Sequence, residues 1–424
     1  MPSAFVIEGT RGEKKLSGSI PVYGSKNAVL PLMAAAALVE GETKLSNVPE
    51  IADIRSMISI LEGLGAFVTY AGDTLSVRTQ DLSQTVLDRA AAKSLRASVL
   101  LTGPVLARNK SVTFPHPGGD LIGERPVDVF LNAFTKLGAT VTENADSYTV
   151  SAPNGLTGGE YFFHVVSVTG TESILIAATA ATGTVTLKNC AMEPEVVATA
   201  EFLQSCGAKI EGAGTPTILI TPTSLTAPST ATKVIPDRIE AASFLTLGAL
   251  LGQDITVTNA DRTHLDAVID ALEIMGVSVL SDSTGMHVKA PERLTAARLR
   301  THEYPGYPTD AQSPQVVLLT QATGESVVIE SIFDGRLAYT KELVRMGANI
   351  ELMSPHRAVI RGPTSLTAAT IDTPDIRAGL AYMLAAAIAS GTSTINNAHI
   401  IDRGYAHIVQ RLSALGLSIK RVES

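Results

Sequence analysis

Residues 61–69 read LEGLGAFVT, and the phrase returns as FTKLGATVT (134–142), FLQSCGAKIE (202–211), LEIMGVSVL (272–280), LVRMGANIE (343–351) and LSALGLSIK (412–420). Each is the end of an amphipathic helix, then a glycine, then a strand rich in β-branched residues. Glycine suits that junction because the residue closing a helix commonly takes a positive φ, which strains any side chain with a Cβ. Gly65, Gly138, Gly207, Gly276, Gly347 and Gly416 recur about every 70 residues, which marks a repeated supersecondary unit.

Upstream of each phrase lies a second kind of helix, apolar nearly all round: 27–41, 97–109, 172–183, 241–252, 315–324 and 379–391. A helix with no polar face is buried. A short strand follows each one, for example ETKLSNV (42–48) and DITVTN (254–259). The unit is therefore strand, buried helix, strand, surface helix, strands. Six such units predict an α/β protein with sheets packed around buried helices, closed either as one barrel or as two groups of three. The stretch 221–235 (TPTSLTAPSTATKVI) is loop-like and falls between units three and four. It places one domain at 23–235 and the other at 236–424. The N-terminal strand AFVIEG can complete the second domain's sheet, which makes that domain discontinuous, 1–22 plus 236–424.

Composition bounds the function. The chain has 424 residues, enough for two or more domains. Hydrophobic residues are 45% but aromatics only 4%, with no Trp, so Ala, Val, Leu and Ile must fill the cores. A net charge of -8 argues against a nucleic-acid or anionic-membrane partner. Cys190 and Cys206 form no CxxC motif and read as buried thiols of a reducing compartment. The eight histidines lack metal-ligand spacing, and no metal is expected. The N-terminus MPSAFVIEGTRGEKKL has no apolar signal region. The apolar runs at 29–39, 244–252 and 380–389 fall short of the ~20 residues that span a bilayer. The expectation is a cytoplasmic protein without membrane insertion.

Chemistry concentrates where the buried helices begin. These starts read Ser25-Lys26-Asn27, Lys93-Ser94-Leu95-Arg96, Ser167-Val168-Thr169, Pro236-Asp237-Arg238, Pro308-Thr309-Asp310 and Pro374-Asp375-Ile376-Arg377. Helix N-termini offer unpaired N–H groups and about half a positive charge, so several together form an anion trap. A solvated surface charge is the plain alternative for any one of these cations. Recurrence at equivalent positions favours a site. Asp237, Asp310 and Asp375 have a rival role as N-caps, preferred for Asp237.

The segment 115–130 (PHPGGDLIGERPVDVF) places Asp120 on a Pro-Gly-Gly turn, with Arg125-Pro126 opening the next helix. It reads as a mobile lid over 115–126 rather than a plain surface loop. Further arginines lie in IFDGR (332–336) and IDRGY (401–405). Lys26, Arg125, Arg336, Arg377 and Arg403 together suit a small ligand carrying both carboxylate and phosphate, as phosphoenolpyruvate does.

The phrases YGSKNAVLP, KSLRAS, PGGDLIGERPVD, EPEVV, PDRIEAASF, YPTDAQ, IFDGR, PDIRA and IDRGY together resemble the UDP-N-acetylglucosamine 1-carboxyvinyltransferase family of the EPSP synthase superfamily. The resemblance covers essentially the whole chain. It implies a two-domain inside-out α/β barrel of six units, three per domain, with the active site in a cleft between the domains. It implies enolpyruvyl transfer from phosphoenolpyruvate to the 3′-hydroxyl of UDP-N-acetylglucosamine, the first committed step of peptidoglycan synthesis. No cofactor is implied, and the expected form is a monomer.

Carried over motif by motif, Lys26, Asn27, Arg125, Arg336, Arg377 and Arg403 would bind phosphoenolpyruvate. Arg96, Arg125, Pro126, Val127, Asp128, Val129, Val165, Val166, Ser167, Val168, Asp310 and Ile332 would bind the sugar nucleotide. Asp120, Lys26, Asp310 and Arg403 would be catalytic, with Asp310 the base for the hydroxyl. Asp375 would support proton transfer at the methylene carbon. The implied route is addition then elimination through a tetrahedral intermediate.

Two departures stand out. Where the family usually has Cys, this chain has Asp120, whose free carboxyl titrates near 3.9 against about 8.5 for a thiol. A proton donor at neutral pH must then be raised by burial or by the ligand's charge. Fosfomycin alkylates the family's cysteine, so this chain is expected to be insensitive to it. The second is SVTGT (167–171) in place of the common SVGAT, without the lysine that often precedes it; His164 is a candidate substitute. The rival readings are transfer to shikimate 3-phosphate, and a non-catalytic paralogue that binds the sugar nucleotide.

Overall fold

A computed structural model of the chain describes residues 3–80, 82–118 and 127–423. The fold is α/β, and the described residues fall into two compact units.

One unit is drawn from Met1–Tyr23 and Pro236–Ser424. At its centre the helices Arg238–Leu251, Thr309–Leu319 and Ile376–Ile388 pack on one another. Every residue of Ile376–Ile388 is buried, as is all of Arg238–Leu251 after its first residue. Such helices have no face to give to water. Ser3–Glu8 runs antiparallel between Thr392–Asn396 and Ile419–Glu423, with Phe5 opposite both Ile395 and Arg421. Phe5 and Ile7 point into the core. A second sheet orders Val279–Asp282, Gly285–Val288, Gly252–Thr258 and Leu16–Pro21. A third orders Arg298–Arg300, Gly324–Ile329, Arg357–Gly362 and Asn349–Ser354.

The other unit takes its described residues from Gly24–Gly119 and Arg125–Ile235. Its inner helices are Lys26–Ala36, Thr102–Asn109 and Val168–Ala178. The stretch expected as one helix over 97–109 divides into a 3-10 segment, Arg96–Leu101, and the α-helix Thr102–Asn109. Pro104 then falls in the first turn of the α-helix, where a missing N–H breaks no bond. Pro194–Ser205, which precedes the Gly207 phrase, is more enclosed than a surface helix, with eight of its residues buried.

The strand after each inner helix has one parallel and one antiparallel neighbour. Glu42–Ser46 lies between Thr232–Lys233 and Thr74–Arg78, and Val185–Lys188 between Gly159–Phe162 and Thr217–Thr221. Ser111–Pro115 pairs antiparallel with Ser147–Ser151 and has only a parallel bridge, Thr113 to Val86, on its other side. The Thr232–Lys233 strand lies inside the stretch that reads as loop. Two residues are too few to show any periodicity.

All six phrase glycines have φ between +88° (Gly276) and +107° (Gly347). Cys190 and Cys206 are free and buried. Burial pushes their thiols up to about 12 and about 11, which disfavours the reactive thiolate. Among the described residues no helix is long and apolar enough to cross a membrane.

Candidate active site

In the first unit the three inner helices begin differently. Asp237 caps Arg238–Leu251, accepting from the N–H groups of Ile239 and Glu240. Asp375 caps Ile376–Ile388 in the same way, accepting from Arg377 and Ala378. Asp310 is not a cap. Pro308 holds that position for Thr309–Leu319, and the Asp310 carboxylate turns to two arginines instead.

Arg336 donates through Nη2 to Asp310 Oδ1 at 2.8 Å. Arg377 donates to Oδ2 through Nε at 3.0 Å and lies within 2.8 Å of it through Nη2. The two arginine side chains are only 3% and 7% exposed, and Asp310 is 27% exposed. Arg336 also comes within 3.9 Å of Asp375, and its buried Nε has no hydrogen-bond partner among the described residues. Arg377 donates its remaining nitrogen, Nη1, to the Tyr405 hydroxyl at 3.1 Å. Burial works against the charge on Arg377, but the Asp310 carboxylate more than restores it and holds the guanidinium well above its usual range. The turn bearing Arg403 abuts the same group: a Cβ added at Gly404 would lie 3.9 Å from Arg377 Nη1. The cluster is thus two buried cations, Arg336 and Arg377, sharing the partly open Asp310 carboxylate, with the buried Asp375 beside them.

Ile332 follows the Gly324–Ile329 strand. Its N–H donates to the buried Glu330 carboxylate at 2.9 Å.

In the second unit Ser25 caps Lys26–Ala36 by accepting from the Ala28 N–H. Lys26 opens the helix and reaches Asp53 Oδ2 at 2.6 Å. Asn27 and Arg96 are half-buried at their helix starts. Val127 precedes the Asp128–Lys136 helix, and the buried Val129 accepts from the Tyr161 hydroxyl. Asp128 is exposed, 3.8 Å from His164 Nε2. Val165 is exposed and Val166 half-buried, while Ser167 caps the helix that Val168 begins. Beneath that helix start lie three buried carboxyls, Glu172, Glu193 and Glu195. Burial, then the neighbouring Glu195 and Glu193, raises Glu172 well above the usual carboxyl range. Asp120, Arg125 and Pro126 lie outside the described residues.

The structure therefore gathers Asp310, Arg336, Arg377 and Asp375 into one cluster, with the Arg403 turn against it. Lys26 meets Asp53, a partner that no sequence motif near Lys26 names. Tyr405, Glu330 and Glu172 were also missed. Tyr405 lies within the IDRGY phrase, but nothing in that phrase says which side chain turns inward. Among the described residues no group of three or more His, Cys, Asp or Glu is arranged to hold a metal ion.

This α/β scaffold, with paired arginines on a carboxylate at a helix start, has relatives. The chain belongs to the EPSP synthase family, described as EPSP synthase (3-phosphoshikimate 1-carboxyvinyltransferase), whose sequence profile matches residues 10–412. Within it, the chain is 41% identical to the UDP-N-acetylglucosamine 1-carboxyvinyltransferase of Koribacter versatilis, over 99% of this chain and 96% of that one. The protein of that name from Desulfatibacillum aliphaticivorans is also 41% identical, over 99% of both chains. In fold, the chain matches the crystal structure of the enolpyruvyl transferase NikO from Streptomyces tendae. That match has a TM-score of 0.90 at 24% identity and covers 100% of this chain and 99% of that one. An EPSP synthase from Acinetobacter baumannii matches at a TM-score of 0.74 and 18% identity, over 100% of both chains.

Proposed function

We infer that this chain is an enzyme that moves the enolpyruvyl group of phosphoenolpyruvate onto the 3′-hydroxyl of UDP-N-acetylglucosamine with release of phosphate, in peptidoglycan synthesis. One observation carries the reading: the Asp310 carboxylate held between the buried guanidiniums of Arg336 and Arg377, in a chain collinear with transferases of that name.

Lys26, Asn27, Arg125, Arg336, Arg377 and Arg403 neutralise the carboxylate and phosphate of phosphoenolpyruvate. Arg96, residues 125–129 and 165–168, Asp310 and Ile332 hold the sugar nucleotide. Asp120 protonates C3, and the 3′-oxygen adds to the cationic C2 as its proton passes to Asp310. The tetrahedral intermediate then loses phosphate while a proton leaves C3 near Asp375, and the new double bond is the enol ether. Asp310 supports the base role because it is partly open to an incoming hydroxyl while both arginines hold it. No cofactor enters these steps.

The strand arrangement common to the sheets supports reading the molecule as two domains, 1–22 plus 236–424 and 23–235. Each would be three repeats closed as an inside-out barrel. A cytoplasmic monomer completes the proposal.

Phosphate release with phosphoenolpyruvate tests the reading. Release that needs UDP-N-acetylglucosamine supports it. Release with shikimate 3-phosphate instead assigns the other branch of the family. No release with either acceptor, alongside sugar-nucleotide binding, points to a non-catalytic paralogue.

A further inference from the structure

Resting on that reading, we propose that Glu330 is a positioning residue that fixes the distance between Asp310 and the segment carrying Ile332 and Arg336. Glu330 is buried at the end of the Gly324–Ile329 strand. One oxygen, Oε1, accepts from the N–H groups of Ile332 at 2.9 Å and Phe333 at 3.2 Å. The other, Oε2, accepts from the Thr309 hydroxyl at 2.9 Å. Thr309 is the first residue of the Asp310 helix, a helix whose preceding Pro308 supplies no side-chain cap. One carboxylate therefore ties two backbone segments that are remote in sequence, and each segment carries residues assigned to the same sugar.

The Glu330 backbone is itself anchored. Its N–H donates to the His356 carbonyl, and its own carbonyl lies 3.1 Å from His356 Nδ1. The carboxylate is thus a fixed post rather than a swinging group. Charged acceptors form the stronger hydrogen bonds, and a loss of register of about 1 Å near a reacting group is enough to cost 10²-fold in rate.

The test uses three variants of the full chain. Thr309→Val keeps the shape of the side chain and removes only the link to Glu330. Glu330→Gln keeps an acceptor for both backbone N–H groups, and its amide can donate to the Thr309 hydroxyl. Glu330→Ala removes every link. Steady-state phosphate release is measured while each substrate is varied, and thermal unfolding is followed in parallel.

Thr309→Val is expected to raise KM for UDP-N-acetylglucosamine at least fivefold with KM for phosphoenolpyruvate within twofold of the parent. Glu330→Gln should stay within threefold on both substrates, and Glu330→Ala should lose 100-fold or more in kcat/KM. If Thr309→Val alters neither KM, or alters both equally, the positioning role is overturned. That holds even if Glu330→Ala fails to fold. Should the parent chain release no phosphate with UDP-N-acetylglucosamine, the functional reading fails instead, and the two failures are told apart by that control.

Discussion

Lys26 Nζ lies 2.6 Å from Asp53 Oδ2, and the two side chains are only 12% and 4% exposed. Removing one member of a buried ion pair is destabilising, because the charge that stays loses a counter-ion. Asp53→Ala should therefore lower the melting temperature and reduce kcat/KM for phosphoenolpyruvate at least tenfold. Lys26→Ala should cost turnover by orders of magnitude. Equal kinetics for Asp53→Ala and the parent would separate the ion pair from the proposed anion site.

Asp310 is expected to be indispensable for a reason beyond proton transfer. Its charge offsets both Arg336 and Arg377. Asp310→Asn keeps the shape and an acceptor oxygen but leaves two buried guanidiniums facing a neutral amide. Turnover should fall by more than 10³-fold, and binding of the phosphoenolpyruvate anion should be retained or tightened. Titration calorimetry with phosphoenolpyruvate checks the second half. Weakened binding of that anion would argue that Asp310 organises the arginines more than it competes with the ligand.

Residue 120 offers a gain-of-sensitivity experiment. A carboxylate at residue 120 is a poor nucleophile toward an epoxide, so the parent chain should resist fosfomycin. Asp120→Cys should keep turnover and be inactivated by the drug in a time-dependent manner, and Asp120→Ala should lose turnover by orders of magnitude. Full turnover in Asp120→Ala would remove Asp120 as the acid.

Glu172 makes the stability of the fold depend on pH. Burial first, then Glu195 and Glu193, raises its folded-state pKa well above the ordinary 4.5. Below that ordinary value the group is protonated in both folded and unfolded chains and contributes nothing. As pH rises past it, the unfolded chain ionises and the folded chain does not, so stability falls until the raised folded value is reached. Glu172→Gln mimics the protonated acid. It should melt like the parent near pH 4 and higher than the parent at pH 7 and above. Parallel melting curves at every pH would show that Glu172 is not held protonated.

Much of this fold was legible because its signals are local. A glycine at a helix end, an apolar helix, and a β-branched strand each announce themselves within a dozen residues, and they recur. The candidate site was legible only as residue types. Nothing near Lys26 in sequence names Asp53, which belongs to the following helix, and nothing near Asp310 names Tyr405 or Glu330. Those partnerships come from how the inner helices pack. Asp310 itself shows the limit. By position it looks like Asp237 and Asp375, yet those two cap helices while Asp310 faces Arg336 and Arg377. The short Thr232–Lys233 strand was hidden because parallel pairing to Leu45 and Ser46 is a long-range event.

Two glycines, Gly416 at a helix end and Gly379 inside the Ile376–Ile388 helix, separate conformational strain from packing. Gly416 has φ +98°, and a Cβ built there meets nothing within 4 Å. Gly416→Ala therefore adds no clash, and its cost is the left-handed backbone alone, about 1–2 kcal/mol. Gly379 lacks a positive φ, but its Cβ would lie 2.6 Å from both Ile401 and Thr373 side-chain carbons, inside the packed core beside Arg377. Gly379→Ala should destabilise by shifting those neighbours, and because Arg377 is only two residues away it should also lower kcat. Gly416→Ala should lower the melting temperature and leave kcat within twofold. Urea unfolding read beside phosphate release distinguishes the two, and a Gly416→Ala variant as stable as the parent would mean that this turn relaxes to a negative φ.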